Sequence, residues 1–330
     1  MSSKMLPEIT ELVSLIRGPV GEPLASPLKG DQRALSQKAH EKILKLTKPS
    51  PVRFAWEVTG AWITILGVIA LAEISGIVWI KVLAVFCVAT RQNLLGLLVH
   101  EQTHYLGANS KLGDFLANFF CAWPLLISIE DYAKVHLAHH QFYFSQKDPD
   151  FKRKQGKLWT FPMKLRALLR LFFIDLTGVS LIEAVRNKQI KENHTGLRKT
   201  SAPAWIRIVY YSALVGVLTL THAWPLYLFY WLLPLATFLQ VIVRWGAICE
   251  HKYNLVNPQV IESTPIIVLT PLEKFLLPNL NFTLHIYHHF FPGIPFHHLP
   301  KVHQIFQQED LLDHQHVYQG YGKYLRSLLA

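Results

Sequence analysis

Three five-residue runs hold eight of the chain's 17 histidines, and any fold must bring them together if they share one task. HEQTH carries His100 and His104, HLAHH carries His136, His139 and His140, and HIYHH carries His285, His288 and His289. His251 is a ninth candidate, in CEH at the end of a long apolar stretch. Imidazole is a good ligand for iron, copper and zinc, and one ion seldom takes more than three or four protein ligands. Eight or nine clustered histidines therefore fit two ions better than one. The spacings i, i+4 and i, i+3, i+4 each put their rings on one face of a helix.

The chain is 51% apolar and only 17% charged. A charged share near 25% is usual, so this composition suggests a membrane protein with substantial polar parts. The net charge of +11 would raise nucleic-acid binding in a soluble protein. Here basic residues flanking apolar segments, facing anionic lipid, account for it, and no nucleic-acid partner is expected. Cys87, Cys121 and Cys249 are scattered in apolar sequence without a CxxC, so neither a disulfide framework nor a thiolate metal site is expected. The N-terminal residues lack the apolar core of a signal peptide.

Four stretches are apolar enough to cross a bilayer as helices of about 20 residues: 54–73, 76–98, 206–222 and 225–243. Short links join them as two hairpins. Arg91 interrupts the second span and is expected to face protein or a polar cavity, whereas Lys81 is expected to snorkel outward. Pro234 is expected to kink the fourth. The semi-apolar stretches 112–129 and 165–185 are expected not to cross. If the first of these crossed, HLAHH would lie on the opposite side of the membrane from HEQTH. Lys164, Arg166 and Arg170 suit an amphipathic helix at the headgroups. Both termini and the clusters then share one face. Residues 134–207 hold 15 Lys or Arg, so that face is the cytosolic one. The expected fold is thus an all-α membrane protein of four spans with a cytosolic helical cap carrying the histidines. Residues 1–53 form a cytosolic lead-in with one surface helix, 54–310 the membrane domain and 311–330 a tail. His222 lies at the far turn and is assigned no role; His40, His297, His298 and His303 read as surface or supporting residues.

These residues resemble the membrane fatty-acid desaturase and hydroxylase superfamily, the histidine-box enzymes. HEQTH is similar to its first box, HLAHH to its second, and HIYHHFFPGIPFHHLP to its third with a proline-rich trailer; RQNLLGLLVHEQTH and HHQFYFSQKDPD also look like family sequence. The resemblance covers about residues 54–310. It implies four spans, a cytosolic cap and two non-haem irons, with His251 completing the ligand set. Two positions depart from the family pattern. Tyr287 stands where the third box often has an acid, and Ala247 stands where some relatives have an asparagine four residues before the extra histidine. No haem-binding His-Pro-Gly-Gly signature is present. Electrons are therefore expected from a separate carrier, a ferredoxin, a rubredoxin or a b-type cytochrome with its reductase.

Glu101, Asp148, Asp150 and Glu250 stand close to candidate ligands in sequence, where a carboxylate can fix a ring through its second nitrogen. The expected activity is oxygen-dependent desaturation of an acyl chain in a lipid or thioester. Removal of two hydrogens gives a double bond, and oxygen insertion at the same site gives an alcohol. Substrate placement at the 1 Å level selects between them. A hydroxylase or ketolase acting on an alkane, sphingolipid or carotenoid is the alternative. A four-span protein that binds zinc without catalysis is the second alternative. Trp56, Trp62, Tyr210, Phe229 and Trp231 are candidate substrate linings, with an aromatic belt or helix packing as their plainer use.

Overall fold

Proline at the start and glycine at the end delimit the first long helix. Pro51 supplies a fixed φ where no intrahelical N–H bond is needed, and Gly76 takes the left-handed φ of 63° that stops the chain. The computed structural model describes residues 35–187, 202–256, 258–312 and 317–330. After α1 (Gln37–Leu44) come α2 (Pro51–Ser75) and α3 (Val78–Thr103), an antiparallel hairpin. Their 25 and 26 residues span about 38 Å each, more than the roughly 30 Å of hydrocarbon. At the turn the part-exposed Lys81 Nζ lies 2.8 Å from Glu73, which also accepts the Tyr230 hydroxyl at 2.6 Å. The helix α3 continues unbroken through HEQTH, so the first histidines sit on its last turn.

The stretch expected not to cross begins with α4 (Lys111–Ala117) and a π-helical turn, Asn118–Ala122, about 18 Å together and too short to cross. Two indoles tie it to the spans. Trp62 Nε1 donates to the Phe120 carbonyl at 2.9 Å, and Trp231 Nε1 donates to the Pro124 carbonyl at 3.0 Å. The two rings stack at 5.3 Å, so these candidate linings serve as packing. The HLAHH helix, α5 (Ile129–Phe142), follows and is capped by Ser128.

The expected amphipathic segment forms α6 (Leu165–Leu176). Gly178, at φ 80°, then separates it from a second short helix, Val179–Asn187. Next come α7 (Ala204–Leu220) and α8 (Trp224–Glu250). At 17 residues, α7 reaches only about 25 Å. Among the described residues, three helices are long and apolar enough to cross a membrane: α2, α3 and α8. The kink expected at Pro234 is spread over a π-turn at Leu228–Leu232 and a break at Thr237. Gln92 Nε2 donates across to the Trp231 carbonyl at 2.8 Å.

The remaining residues cover the ends of α3 and α8. The third box forms α9 (His285–Phe290), followed by α10 (Leu299–Gln308) and α11 (Gly320–Ser327). The fold is mostly helical rather than purely so. The β-branched run at β1 (Ile266–Val268) pairs in parallel with β2 (Val317–Gln319), Ile266 opposite Val317. Residues 317–330 pack back on α8, where the buried Tyr324 donates its hydroxyl to the Ile248 carbonyl at 2.8 Å.

A buried ion pair fastens α6 to α8. Arg244 Nε and Nη2 donate to the Asp175 carboxylate at 2.5 and 2.9 Å, and Asp175 is 1% exposed. Breaking such a pair strands a buried charge at a cost of about 3–5 kcal/mol, whereas replacing both members with apolar residues costs little. Asp175→Ala should therefore lower the melting temperature in detergent, and Asp175→Leu with Arg244→Met should restore most of it, as read by scanning fluorimetry.

Candidate metal centre

All nine candidate histidines are buried, and they converge from four parts of the chain. His100 and His104 come from the last turn and cap of α3, and His136, His139 and His140 from one face of α5. His251 caps α8, and His285, His288 and His289 line α9. The rings divide into two groups. His100, His104, His136, His140 and His288 place one ring nitrogen each within 4.8 Å of all the others, and His139, His251 and His289 do the same. His285 flanks the second group, its Nε2 3.0 Å from that of His289.

The spacing suits ions. In the first group Nε2 of His136 lies 2.8 Å from that of His104 and 3.1 Å from that of His140, which is 3.0 Å from that of His288. In the second group Nε2 of His251 lies 3.3 Å from that of His139 and 3.1 Å from that of His289. Two imidazoles at right angles on an ion about 2.1 Å away have nitrogens about 3.0 Å apart. Both ring nitrogens of His100, and Nδ1 of His285, are buried without a hydrogen-bond partner. Buried orphan polar atoms are rare, and a cation would satisfy one of the two on His100.

Electrostatics favours lone pairs over protons. Burial, with repulsion from neighbouring histidines, holds His136, His140, His251, His285, His288 and His289 well below the usual imidazole range. Neutral imidazole is the form that binds metal. Two of the rings, His139 and His251, are fixed from behind. His139 Nδ1 donates to Asp148 Oδ2 at 2.8 Å, which leaves its Nε2 lone pair facing the cluster. Asp148 is itself held by the N–H groups of Phe144, Asp150 and Phe151. His251 Nδ1 lies 3.2 Å from Thr264 Oγ1 and 3.4 Å from the Tyr143 hydroxyl, which is anchored on Ser263 and Thr264. Neither Tyr143 nor Thr264 stands out in the sequence. The only hint is that Tyr143 follows His140 by three residues, at the C-terminal cap of α5.

The other carboxylates are spent elsewhere. Glu101 is buried and accepts the backbone N–H of Phe296 at 3.1 Å, which ties the first box to the trailer of the third. Asp150 faces Lys154, Arg153 and the Tyr253 hydroxyl. Burial alone would raise its carboxyl, but Lys154 and Arg153 hold it well below the ordinary range. Glu250 is half-buried, and among the described residues no histidine hydrogen-bonds it. Tyr287 turns its hydroxyl away from the rings onto the buried His303, Nδ1 at 2.7 Å. His40, His297 and His298 are half-buried, while His194, His314 and His316 lie outside the described residues.

The arrangement is that of a helical membrane protein with two adjoining all-histidine pockets compatible with metal binding. The chain matches the Fatty acid desaturase family over residues 77–322, well over half its length, and belongs to that family. It is also similar to the Dihydrorhizobitoxine desaturase of Bradyrhizobium elkanii, 25% identical over 247 residues that cover 70% of this chain and 69% of that protein. Family membership suggests an oxidoreductase and implies a lipid or acyl substrate and oxygen. Loss of a hydrogen bond behind a ligating ring weakens metal binding about 10- to 100-fold. Asp148→Asn keeps an acceptor for the backbone but removes the charge that holds the His139 tautomer. It should retain less metal than the parent after dialysis against a chelator, read by elemental analysis.

Proposed function

We propose that this protein is an oxygen-dependent di-iron desaturase that introduces a double bond into an acyl chain. Nine histidines hold the two ions: His100, His104, His136, His140 and His288 one of them, and His139, His251, His285 and His289 the other. The observation that carries this reading is the convergence of all nine rings at nitrogen spacings suited to two adjoining ions. Family membership favours iron over zinc. The name of the B. elkanii relative favours loss of hydrogen over insertion of oxygen.

The residues fit the group, and each has a definable task. Two irons bound here would supply the oxidising power that breaking an unactivated C–H bond requires and that no side chain possesses. The neutral imidazoles give lone pairs without bringing protons. Asp148, Thr264 and Tyr143 hold ring orientation, and Glu101 locks the first box to the third. The apolar shell of Phe282, Phe144 and Tyr132 around the rings excludes water; Phe282 lies 4.5 Å from His100. In this reading α2, α3, α7 and α8 are the four spans, with the shorter α7 fitted by local thinning of the bilayer. Both ends and the histidine cap lie on the cytosolic side, where a separate carrier delivers electrons.

Cells expressing the protein and fed isotope-labelled acyl substrates should accumulate products lighter by two hydrogens, read by lipid mass spectrometry. Products heavier by one oxygen would point to a hydroxylase instead. The purified protein should hold about two irons per chain. Zinc with no oxygen uptake would overturn the reading. His136→Ala and His288→Ala should each abolish turnover, while His222→Ala at the far turn should leave it unchanged.

A further inference from the structure

We propose that the short helix Pro271–Leu276 is a wedge that dips into the edge of the bilayer, with lipid as the partner of its exposed face. The inference rests on the reading of α8 as a span. Leu272, Phe275 and Leu276 are 64%, 75% and 55% exposed. At about 100° per residue these three fall within one ~100° arc, with Lys274 roughly opposite. Lys274 is exposed as well, its Nζ donating to Asn281 Oδ1 at 3.2 Å at the surface. The helix thus shows a continuous apolar side outward, with its lysine on the other side free to reach the headgroup level.

A chain of contacts sets its depth. Glu273 Oε1 accepts the Tyr321 N–H at 2.7 Å, and the Tyr321 ring lies 5.5 Å from that of Trp245 on α8. Trp245 is six residues before His251, about 9 Å toward the membrane along the axis. The 27 residues of α8 span about 40 Å against roughly 30 Å of hydrocarbon, so about 5 Å extends beyond each side. Trp245, about 7.5 Å from the helix end, then lies just inside the hydrocarbon boundary, the level that tryptophan favours. The second element beside Trp245 is α6, whose Phe172 ring is 6.4 Å away and whose Leu165, Leu169 and Phe173 are exposed. The wedge continues this apolar collar around the end of α8. Six residues beyond Leu276 the same segment supplies Phe282, whose ring packs on His100. The wedge therefore joins the lipid boundary to the wall of the histidine pockets.

The test uses nitroxide labels on the full chain in phosphatidylcholine nanodiscs. Single cysteines are introduced as Phe275→Cys or Leu272→Cys in a Cys87→Ser background. Leu233→Cys in the middle of α8 and Gln304→Cys on the exposed side of α10 serve as references. Collision rates with oxygen, which favours lipid, are compared with those of a water-soluble nickel chelate. Labels at 275 and 272 should favour oxygen, with the sign found at 233 and opposite to that at 304. Labels at 275 and 272 that follow 304 while 233 stays lipid-exposed would overturn the wedge alone. Labels shielded from both reagents by a second copy of the chain would also overturn it. A label at 233 that favours the nickel chelate would overturn the span and the wedge together.

Discussion

Neutral imidazoles do not attract one another through their lone pairs, yet the fold brings nine of them together in a buried site. A contact between two ring nitrogens at 2.8–3.3 Å is favourable only if one of them carries a shared proton. Each neutral ring has one N–H to offer, and in His139 it is already committed behind the ring to Asp148. Protonation is no remedy, because burial and neighbouring rings disfavour the charged form. Cations remove the conflict: every inward lone pair gains a partner, and desolvating the rings becomes part of metal affinity. The rest of the molecule can be understood as the scaffold that holds these donors in register before any ion arrives.

That scaffold links elements remote in sequence. Glu101 reaches from α3 to the backbone beyond α9. Gln102, the next residue, accepts the Ala108 N–H at 2.9 Å and donates to the Ala108 carbonyl and to Asp114 at 2.7 and 2.6 Å. The chain leaving the first box is therefore folded back tightly on it. Gly107 is part of that turn: a Cβ there would sit 2.5 Å from the Phe54 ring and 2.6 Å from Gln102 Oε1. On the membrane side, the stacked pair Trp62 and Trp231 and the Arg244–Asp175 bridge hold the spans and interfacial helices in place. A small rotation of α3 or α8 would separate the two ring groups, because each group draws on both the spans and the cap.

Much of the centre was legible in the sequence because helical spacing is a local property. HEQTH and HLAHH each declare a common face, and the structure turns those faces inward on α3 and α5. Parity led to the expectation that 112–129 does not cross, and the helix found there, with its π-turn, is too short to span the hydrocarbon. What could not be read were interactions decided by distance in the chain. Glu101 stands beside a candidate ligand and still binds a backbone N–H 195 residues away instead of a ring. Lys81 finds Glu73 only because the hairpin turn apposes them. The two short strands lie 48 residues apart between their last and first residues, too far for local patterning to announce. Tyr143 and Thr264 meet His251 across three separate elements.

Tyr287 bears on how the centre is charged. An acid at that place could set one more anion behind the third box. The phenol instead pairs with His303, whose imidazole is held neutral-leaning by burial, and the two bury a polar contact with no net charge. Asp150 is neutralised by Lys154 and Arg153, and Glu101 points its bonded oxygen at a backbone. Among the described residues Asp148 is thus the one carboxylate hydrogen-bonded to a candidate ligand. Among the described residues, a cation held by these neutral rings would therefore meet its one hydrogen-bonded anionic support through His139.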